Sequence, residues 1–273
     1  MITKSKLLYL KDLSQKKHRE KEGLFLVEGW RSLEEVCEAF ERIEVLLHTN
    51  KAASMQRFAG VLDSAKKKAQ SQFEVTEREF AQIAETETGQ GVAAVVKKIS
   101  LDFENVIEKL LAENEAFVVG LDQIADPGNL GAIIRTSDWF GVRAVLVSQN
   151  SVELYNPKVI RSTVGSIAHL PVLECSEDRA SFPDILTALR AGGFRLYGAD
   201  VSGNHDLRTT VWAKKSVLVI GNEARGISPE IVNILDERTA IPKFGRAESL
   251  NAGVAAGVFL SHYTFQPKLN TVR

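Results

Sequence analysis

Six apolar runs in the second half of the sequence, "AFVVGLD" (116–122), "AVLVS" (144–148), "LPVLEC" (170–175), "GFRLYGAD" (193–200), "SVLVIGN" (216–222) and "RTAIP" (238–242), show little alternation between apolar and polar residues. A strand with one solvated face alternates, whereas a strand covered on both faces does not. Segments of helical size separate the runs, with helices expected near 129–140, 157–164, 181–191, 228–235 and 250–263. The pattern therefore predicts an α/β fold with a parallel sheet between two layers of helices. In open sheets of this kind ligands bind beyond the carboxyl ends of the strands, which directs attention to the loops after "VVGLD", "RLYGAD", "LVIGN" and "TAIP".

The first half is a separate, smaller alternation. Residues 3–22 read as one helix, with Leu7, Leu8, Leu10 and Leu13 apolar and the lysines opposite. After Gly23 come strand "LFLVEG", helix "WRSLEEVCEAF", strand "IEVLLHT", helix "AASMQRFAGVLDSAKKKAQ", strand "FEV", helix "EREFAQIA" and strand "GVAAVV". A chain of 273 residues suits two domains, and we expect one over residues 1–100 and a second over 110–268, the boundary lying near 98–110.

Composition narrows the classes. No apolar run approaches the roughly 18 residues of a membrane span. The N-terminal "MITKSKLLYLKDLSQ" breaks its leucines with lysines and lacks the apolar core of a secretory signal, so the cytoplasm is the expected location and no membrane partner is expected. Cys37 and Cys175 stand in no metal or redox spacing, and His205 in "GNHD" is the one histidine beside an acid, so no metal is expected. Net charge is −1, but residues 1–23 hold Lys4, Lys6, Lys11, Lys16, Lys17, Arg19 and Lys21 against Asp12, Glu20 and Glu22, and Lys66–Lys68 add a second basic spot. Such runs are solvated helix faces or phosphate contacts.

Three of the strand-end loops have unusual composition. In "DQIADPGNLGAIIRTSDWFG" Asn129 is placed to cap a helix, Gly128 and Gly131 permit close backbone approach, and Arg135 lies about a turn further in, suited to an anion. Neither a Walker A loop nor a dinucleotide fingerprint occurs, which removes support for ATP hydrolysis and hydride transfer. "VIGNEARGIS" places Gly221, Glu223 and Gly226 directly after a strand, and "IPKFGRAESLNAGVAAGVFL" joins a Pro-Gly loop to a slim helix rich in alanine and glycine.

Taken together and in this order, the three stretches resemble the signature motifs of the SpoU/TrmH family of RNA ribose 2′-O-methyltransferases, within the SPOUT superfamily. Asn129, Gly131 and Arg135 meet the first motif, Gly221, Glu223 and Gly226 the second, and Ile241, Pro242, Gly245, Ser249, Leu250 and Asn251 the third. "YNPKVIRSTVGS" resembles the connecting segment through Pro157, Lys158, Arg161 and Gly165, and "KEGLFLVEGWRSLEE" resembles the accessory substrate-binding domain. The resemblance covers about residues 115–265 and implies a small L30e-like N-terminal domain followed by a C-terminal methyltransferase domain with a deep knot, a rare exception to the rule against threading.

The resemblance also implies S-adenosylmethionine as cofactor, held at Ala199, Ile220, Gly221, Gly226, Ile241 and Leu250. It implies Asn129, Arg135, Glu223, Ser249 and Asn251 as the catalytic set, and a homodimer. RNA contacts are expected from Lys16, Lys17, Arg19, Arg135, Lys158 and Arg161. Because a guanidinium has a pKa above about 12, Arg135 reads better as a clamp on RNA phosphate and a stabiliser of the developing alkoxide than as a base, and the proton acceptor stays open. The expected substrate is structured RNA, 23S ribosomal RNA ahead of transfer RNA. A catalytically silent RNA-binding scaffold is the competing class, and a helix-surface pair of Arg135 with Asp138 is the competing account of that arginine.

Overall fold

A computed structural model of the protein describes residues 2–84 and 90–266. They divide into two units, one comprising residues up to Ser100 together with Glu153–His169, the other Leu101–Val152 and the chain from Leu170.

The first unit contains α1 (Lys4–Asp12), α2 (Lys16–Glu22), β1 (Leu24–Glu28), α3 (Trp30–Ala39), β2 (Ile43–Thr49), α4 (Asn50–Ala53), α5 (Ala59–Lys68), β3 (Ala69–Val75), α6 (Glu77–Ile83) and β4 (Val92–Lys97). Its four strands lie in the order β1-β4-β2-β3, with β4 antiparallel to both neighbours and β2 parallel to β3. α1 and α6 cover one face, bringing Leu7, Leu10, Leu13, Phe80 and Ile83 against Val45, Leu47, Val75 and Val95. α3 and α5 pack on each other and on the strands, covering the opposite side chains such as Leu46 and Ala94.

Two expected helices are broken. The expected helix over 3–22 is two helices, because residues 13–15 leave the helical path and Gln15 is extended. The cause is Arg19, 2% exposed, whose Nη1 donates to the carbonyls of Leu13 (2.8 Å) and Ser14 (2.6 Å), acceptors that a continuous helix would have given to its own amides. Its Nε and Nη2 donate to the Glu153 carboxylate, in a bidentate pair. The expected helix from residue 52 to 70 likewise divides into α4, a short 3-10 turn and α5, and its end joins a strand longer than "FEV", since 69–75 alternate between exposed and inward residues. Lys68 is drawn inward, its Nζ donating to the Cys37 and Phe40 carbonyls at the end of α3.

In the second unit, α7 (Phe103–Ala112), β5 (Ala116–Leu121), α8 (Pro127–Trp139) and β6 (Ala144–Val147) precede the 153–169 segment, whose helix α9 (Pro157–Thr163) belongs to the first unit. Then follow β7 (Val172–Glu174), α10 (Phe182–Ala191), β8 (Arg195–Ala199), the two-residue β9 (His205–Asp206), β10 (Lys215–Ile220), α11 (Pro229–Val232), β11 (Glu237–Ala240) and α12 (Ala252–Phe265). The seven strands are all parallel, in the order β7-β6-β5-β10-β8-β11-β9. α7, α10 and α11 cover one face through Phe103, Leu110, Phe182, Leu186 and Ile231, while α8 and α12 pack on each other and Tyr263 stacks on Phe117 of β5 at 3.8 Å. The continuous apolar runs are thus strands buried on both faces. β10 enters between β5 and β8, so the carboxyl ends of β5, β10, β8 and β11 stand side by side.

The Arg19–Glu153 pair gives a stability test. Removing Arg19 leaves the mostly buried Glu153 carboxylate with only the longer contact to Lys98 (3.8 Å), so Arg19→Ala should lower unfolding stability by about 3 kcal/mol, whereas replacing both partners with apolar residues of similar volume should cost less, the loss there being confined to the Leu13 and Ser14 carbonyls. Denaturant melts of the three proteins check this, and an Arg19→Ala loss no larger than the double replacement's would contradict it.

Candidate active site

The strand-end loops are joined by side chains. After β5, buried Asp122 accepts from the Ser228 amide (2.7 Å), and Gln123, at φ +58°, donates its amide to Ser148 Oγ while its carbonyl accepts from Asn222 Nδ2 (2.8 Å). The chain then enters α8 with Asp126 at the cap, its Oδ1 accepting from the Asn129 amide at 2.8 Å, and Pro127 in the first turn. Asn129 is therefore not the cap expected from sequence. It lies inside the first turn, 8% exposed, and its side chain is free to bond elsewhere.

That side chain is the centre of a hydrogen-bonded chain. Asn251 caps α12, its Oδ1 accepting from the amides of Gly253 (2.9 Å) and Val254 (3.3 Å). Its Nδ2 must then point away, and it donates to Asn129 Oδ1 at 2.7 Å. Asn129 Nδ2 in turn donates to Glu223 Oε1 at 2.7 Å. Amide orientation is fixed by the network: every donor meets an acceptor in this arrangement, and flipping Asn251 would aim N–H groups at N–H groups. Glu223 also accepts from the amides of Ala125 (3.3 Å) and Asp126 (3.4 Å) at the start of α8, where an anion is favoured. Burial alone would raise the Glu223 carboxyl, but the bonds from Asn129 and these amides outweigh it and hold the pKa below the ordinary range. Glu223 is accordingly a carboxylate at neutral pH.

The second loop is closed on itself. Asn222 and Gly226 exchange main-chain hydrogen bonds of 3.0 and 2.8 Å, and Gly226 takes φ +72°. A Cβ on Gly221 would overlap the main chain of Gly226 and Ile227, so no other residue fits. Asn222 Oδ1 accepts from the amides of Ala224 and Arg225. Asp122 and Asn222 were not selected from the sequence. An acid at the end of a buried strand was a signal for the first, but the second stood as an unspecified position between Gly221 and Glu223.

Ala199, Ile220 and Ile241 stand at the ends of β8, β10 and β11, with Ile220 paired to Ala199 across the sheet. Ser249 and Leu250 lie in the exposed loop before α12. Among the described residues, the main-chain groups of 243–250 make no hydrogen bonds within the chain. Main-chain groups beside closely packed strand ends are the kind of donors and acceptors through which these residues would hold S-adenosylmethionine. A cavity of about 590 Å³ opens between α12 and the Leu207–Arg208 turn, and of the expected cofactor positions Ile241 lines it, whereas Ala199, Ile220, Gly221, Gly226 and Leu250 do not.

Arg135 is exposed on α8 and, among the described residues, forms no ion pair, including none with Asp138. The remaining residues expected at RNA sit in the first unit. Lys16 and Lys17 are exposed, Lys16 within 3.5 Å of Glu20, and Lys158 is exposed on α9. Arg161 is half-buried, and its Nη1 is buried without a hydrogen-bond partner. Arg19 departs from expectation in its surroundings: its guanidinium is enclosed and consumed by Glu153, Leu13 and Ser14. Among the described residues no cluster of three or more metal-capable side chains occurs, and no helix is long and apolar enough to cross a membrane.

Comparison with known proteins identifies the family. Residues 116–261 match the SpoU rRNA Methylase family, and residues 4–94 match the MRM3-like substrate binding domain. The chain is 30% identical over 253 residues to the Bacillus subtilis 23S rRNA (guanosine(2553)-2′-O)-methyltransferase RlmP, covering 92% of this chain and 93% of that protein. It superimposes with a TM-score of 0.81 and 28% identity on the SpoU methyltransferase AviRb from Streptomyces viridochromogenes in complex with AdoMet, covering 96% and 97% of the two chains. An AdoMet-bound rRNA methyltransferase from Sinorhizobium meliloti gives a TM-score of 0.81 at 26% identity over 96% and 95%. The match over residues 116–261 and the near full-length similarity to an rRNA 2′-O-methyltransferase make this protein a member of the SpoU rRNA methylase family.

Proposed function

We propose that the protein transfers a methyl group from S-adenosylmethionine to a ribose 2′-oxygen of 23S ribosomal RNA, acting in the cytoplasm as a homodimer. The observation that carries the reading is the Asn251–Asn129–Glu223 chain, which ties the three motif loops into one site. S-adenosylmethionine supplies an activated methyl on a sulfonium, which the ribose oxygen takes by in-line displacement with loss of one proton. The protein's part is alignment and charge. Ile220, Gly221 and Gly226, with Ala199, Ile241 and Leu250, would hold the cofactor through main-chain groups. Arg135, exposed on α8 nearly two turns beyond Asn129 and without an ion pair among the described residues, is available to RNA phosphate and to the negative charge growing on the ribose oxygen. Glu223 keeps its charge and holds Asn129 in register, while Ser249 shapes the pocket wall.

Lys16, Lys17, Lys158 and Arg161 supply the RNA contacts of the first unit, and Arg19 acts beneath them by holding the turn between α1 and α2. The entry of β10 between β5 and β8 after both are laid down supports the deep C-terminal knot. The homodimer is supported by the outward apolar side chains of α12 and α8, Val254, Val258 and the 84% exposed Trp139.

The reading is tested with unmodified 23S rRNA transcribed in vitro and labelled cofactor, followed by mapping of 2′-O-methyl positions; label in tRNA alone would reject the ribosomal assignment. In this assay Arg135→Ala should keep cofactor affinity yet methylate about 100-fold or more slowly, the scale of losing one preorganised charge-stabilising group. Arg135→Lys should recover little, since it lacks the planar fork. Activity within a few-fold of wild type would remove Arg135 from the site.

Asn129→Asp sets a second carboxylate against Glu223. It should be more damaging than Asn129→Ala at neutral pH, and the gap should narrow as pH falls, because like charges raise one carboxyl's pKa until the pair holds a proton. Parallel pH–rate profiles that never converge would contradict this.

Mass measurement at micromolar concentration should give twice the mass of one chain, and Val254→Asp with Val258→Asp should return it to one. A wild-type monomer would refute the dimer.

A further inference from the structure

Phe244 is 88% exposed, more than any other large hydrophobic side chain among the described residues. A single exposed apolar residue needs no explanation by itself. Three further observations make this one different. First, it stands in the loop between Pro242 and Ser249, the segment that joins an expected cofactor contact to the reacting pocket. Second, the Arg208 guanidinium lies over its ring, 5.9 Å from the centroid. That guanidinium is itself held: Arg208 Nε donates to both Asp206 carboxylate oxygens (3.1 and 3.0 Å), and Nη2 donates to Oδ2 (2.5 Å). Third, the flanking Lys243 and Arg246 are exposed, and among the described residues neither makes an ion pair.

We infer that Phe244 is a stacking platform for a nucleobase of the substrate RNA beside the reacting ribose, with Arg208 backing one ring face and Lys243 and Arg246 attending the phosphates. The inference rests on the proposed reading that RNA is methylated at this site. An arginine over an aromatic ring leaves the opposite face for a third planar group, and every base offers a π face. Bases available for stacking occur where RNA is single-stranded or splayed, so the platform selects a nucleotide in a loop or bulge over one inside a helix. The other strongly exposed aromatics, Trp139 and Phe265, sit on α8 and α12 and carry no cation over the ring among the described contacts.

The test uses the full chain, the unmodified 23S transcript and labelled S-adenosylmethionine. Phe244→Ala should raise KM for RNA about tenfold or more, the scale of losing one base–aromatic stack. KM for S-adenosylmethionine should stay within about twofold, because the ring does not serve the cofactor. Phe244→Trp should match wild type, and Phe244→Leu, similar in bulk but without a π face, should behave like alanine. A leucine variant with wild-type KM for RNA overturns the proposal; so does an alanine variant whose loss lies in cofactor binding, or one that changes the mass of the assembly. A second readout does not need methylation: a short single-stranded RNA carrying 2-aminopurine should be quenched by wild type and not by Phe244→Ala, and equal quenching overturns the stack. If wild type fails to methylate the transcript, the functional reading falls, while the quenching comparison still decides whether Phe244 stacks a base.

Discussion

The site depends on the side-chain amide of Asn129. An amide presents one acceptor and two donors in a fixed plane, so it can join a donor on one side to an acceptor on the other only in a single orientation. Here Asn251 supplies the donor and Glu223 the acceptor. Both are in turn oriented by main chain, Asn251 by the first turn of α12 and Glu223 by the start of α8. Two helix N-termini and one glycine turn are thereby placed in register through side chains 94 and 122 residues apart in sequence. Asn129, the buried member, has its amide oxygen and nitrogen both satisfied, while Glu223 and Asn251 are exposed, so losing either neighbour leaves a polar group of Asn129 without its partner.

The sheet makes that chain possible. Parallel strands put all their carboxyl ends on one edge, and the insertion of β10 between β5 and β8 sets the Gly221 turn directly beside the Asp122 turn. Asp122 and Asn222 then bridge the two turns from below, by bonds to the Ser228 amide and the Gln123 carbonyl. Asp122 and Gly221 are buried and Asn222 is half-buried, whereas Arg135, Ser249 and Phe244, the residues proposed to serve the substrate, are exposed. Ordered turns that fix geometry, with exposed side chains left to meet a large RNA, suit the proposed group transfer.

Much was legible because burial on both faces leaves a continuous apolar signature. The strands of the second unit lie on the runs to within two residues at each end, apart from the two-residue β9, too short to leave a pattern. Reading failed where one distant residue redirected the local chain. Leucines and lysines at 3–22 have helical spacing throughout, yet Arg19 captures the carbonyls of Leu13 and Ser14 because Glu153, far along the sequence, is there to hold it. The same burial explains why a residue that looks like part of an exposed basic run has no free donor face. Asn129 was misplaced as a cap for a related reason: Asp126 and Asn129 are both good capping residues, and local preference does not choose between them.

By itself the sequence determined which segments must be buried strands, that their ends would carry the chemistry, and which residue types would stand there, since these follow from apolar periodicity and from glycine and asparagine placed after strands. The tertiary structure alone decided that β10 would slot between β5 and β8, that Asn129 would face Glu223 and Asn251, that Arg19 would be interior, and that Phe244 would stand open under Arg208. The physical reason is range. Periodicity records the contact of a segment with an undifferentiated interior, whereas a hydrogen bond between side chains needs particular partners brought together by the whole chain, and no local pattern carries their addresses.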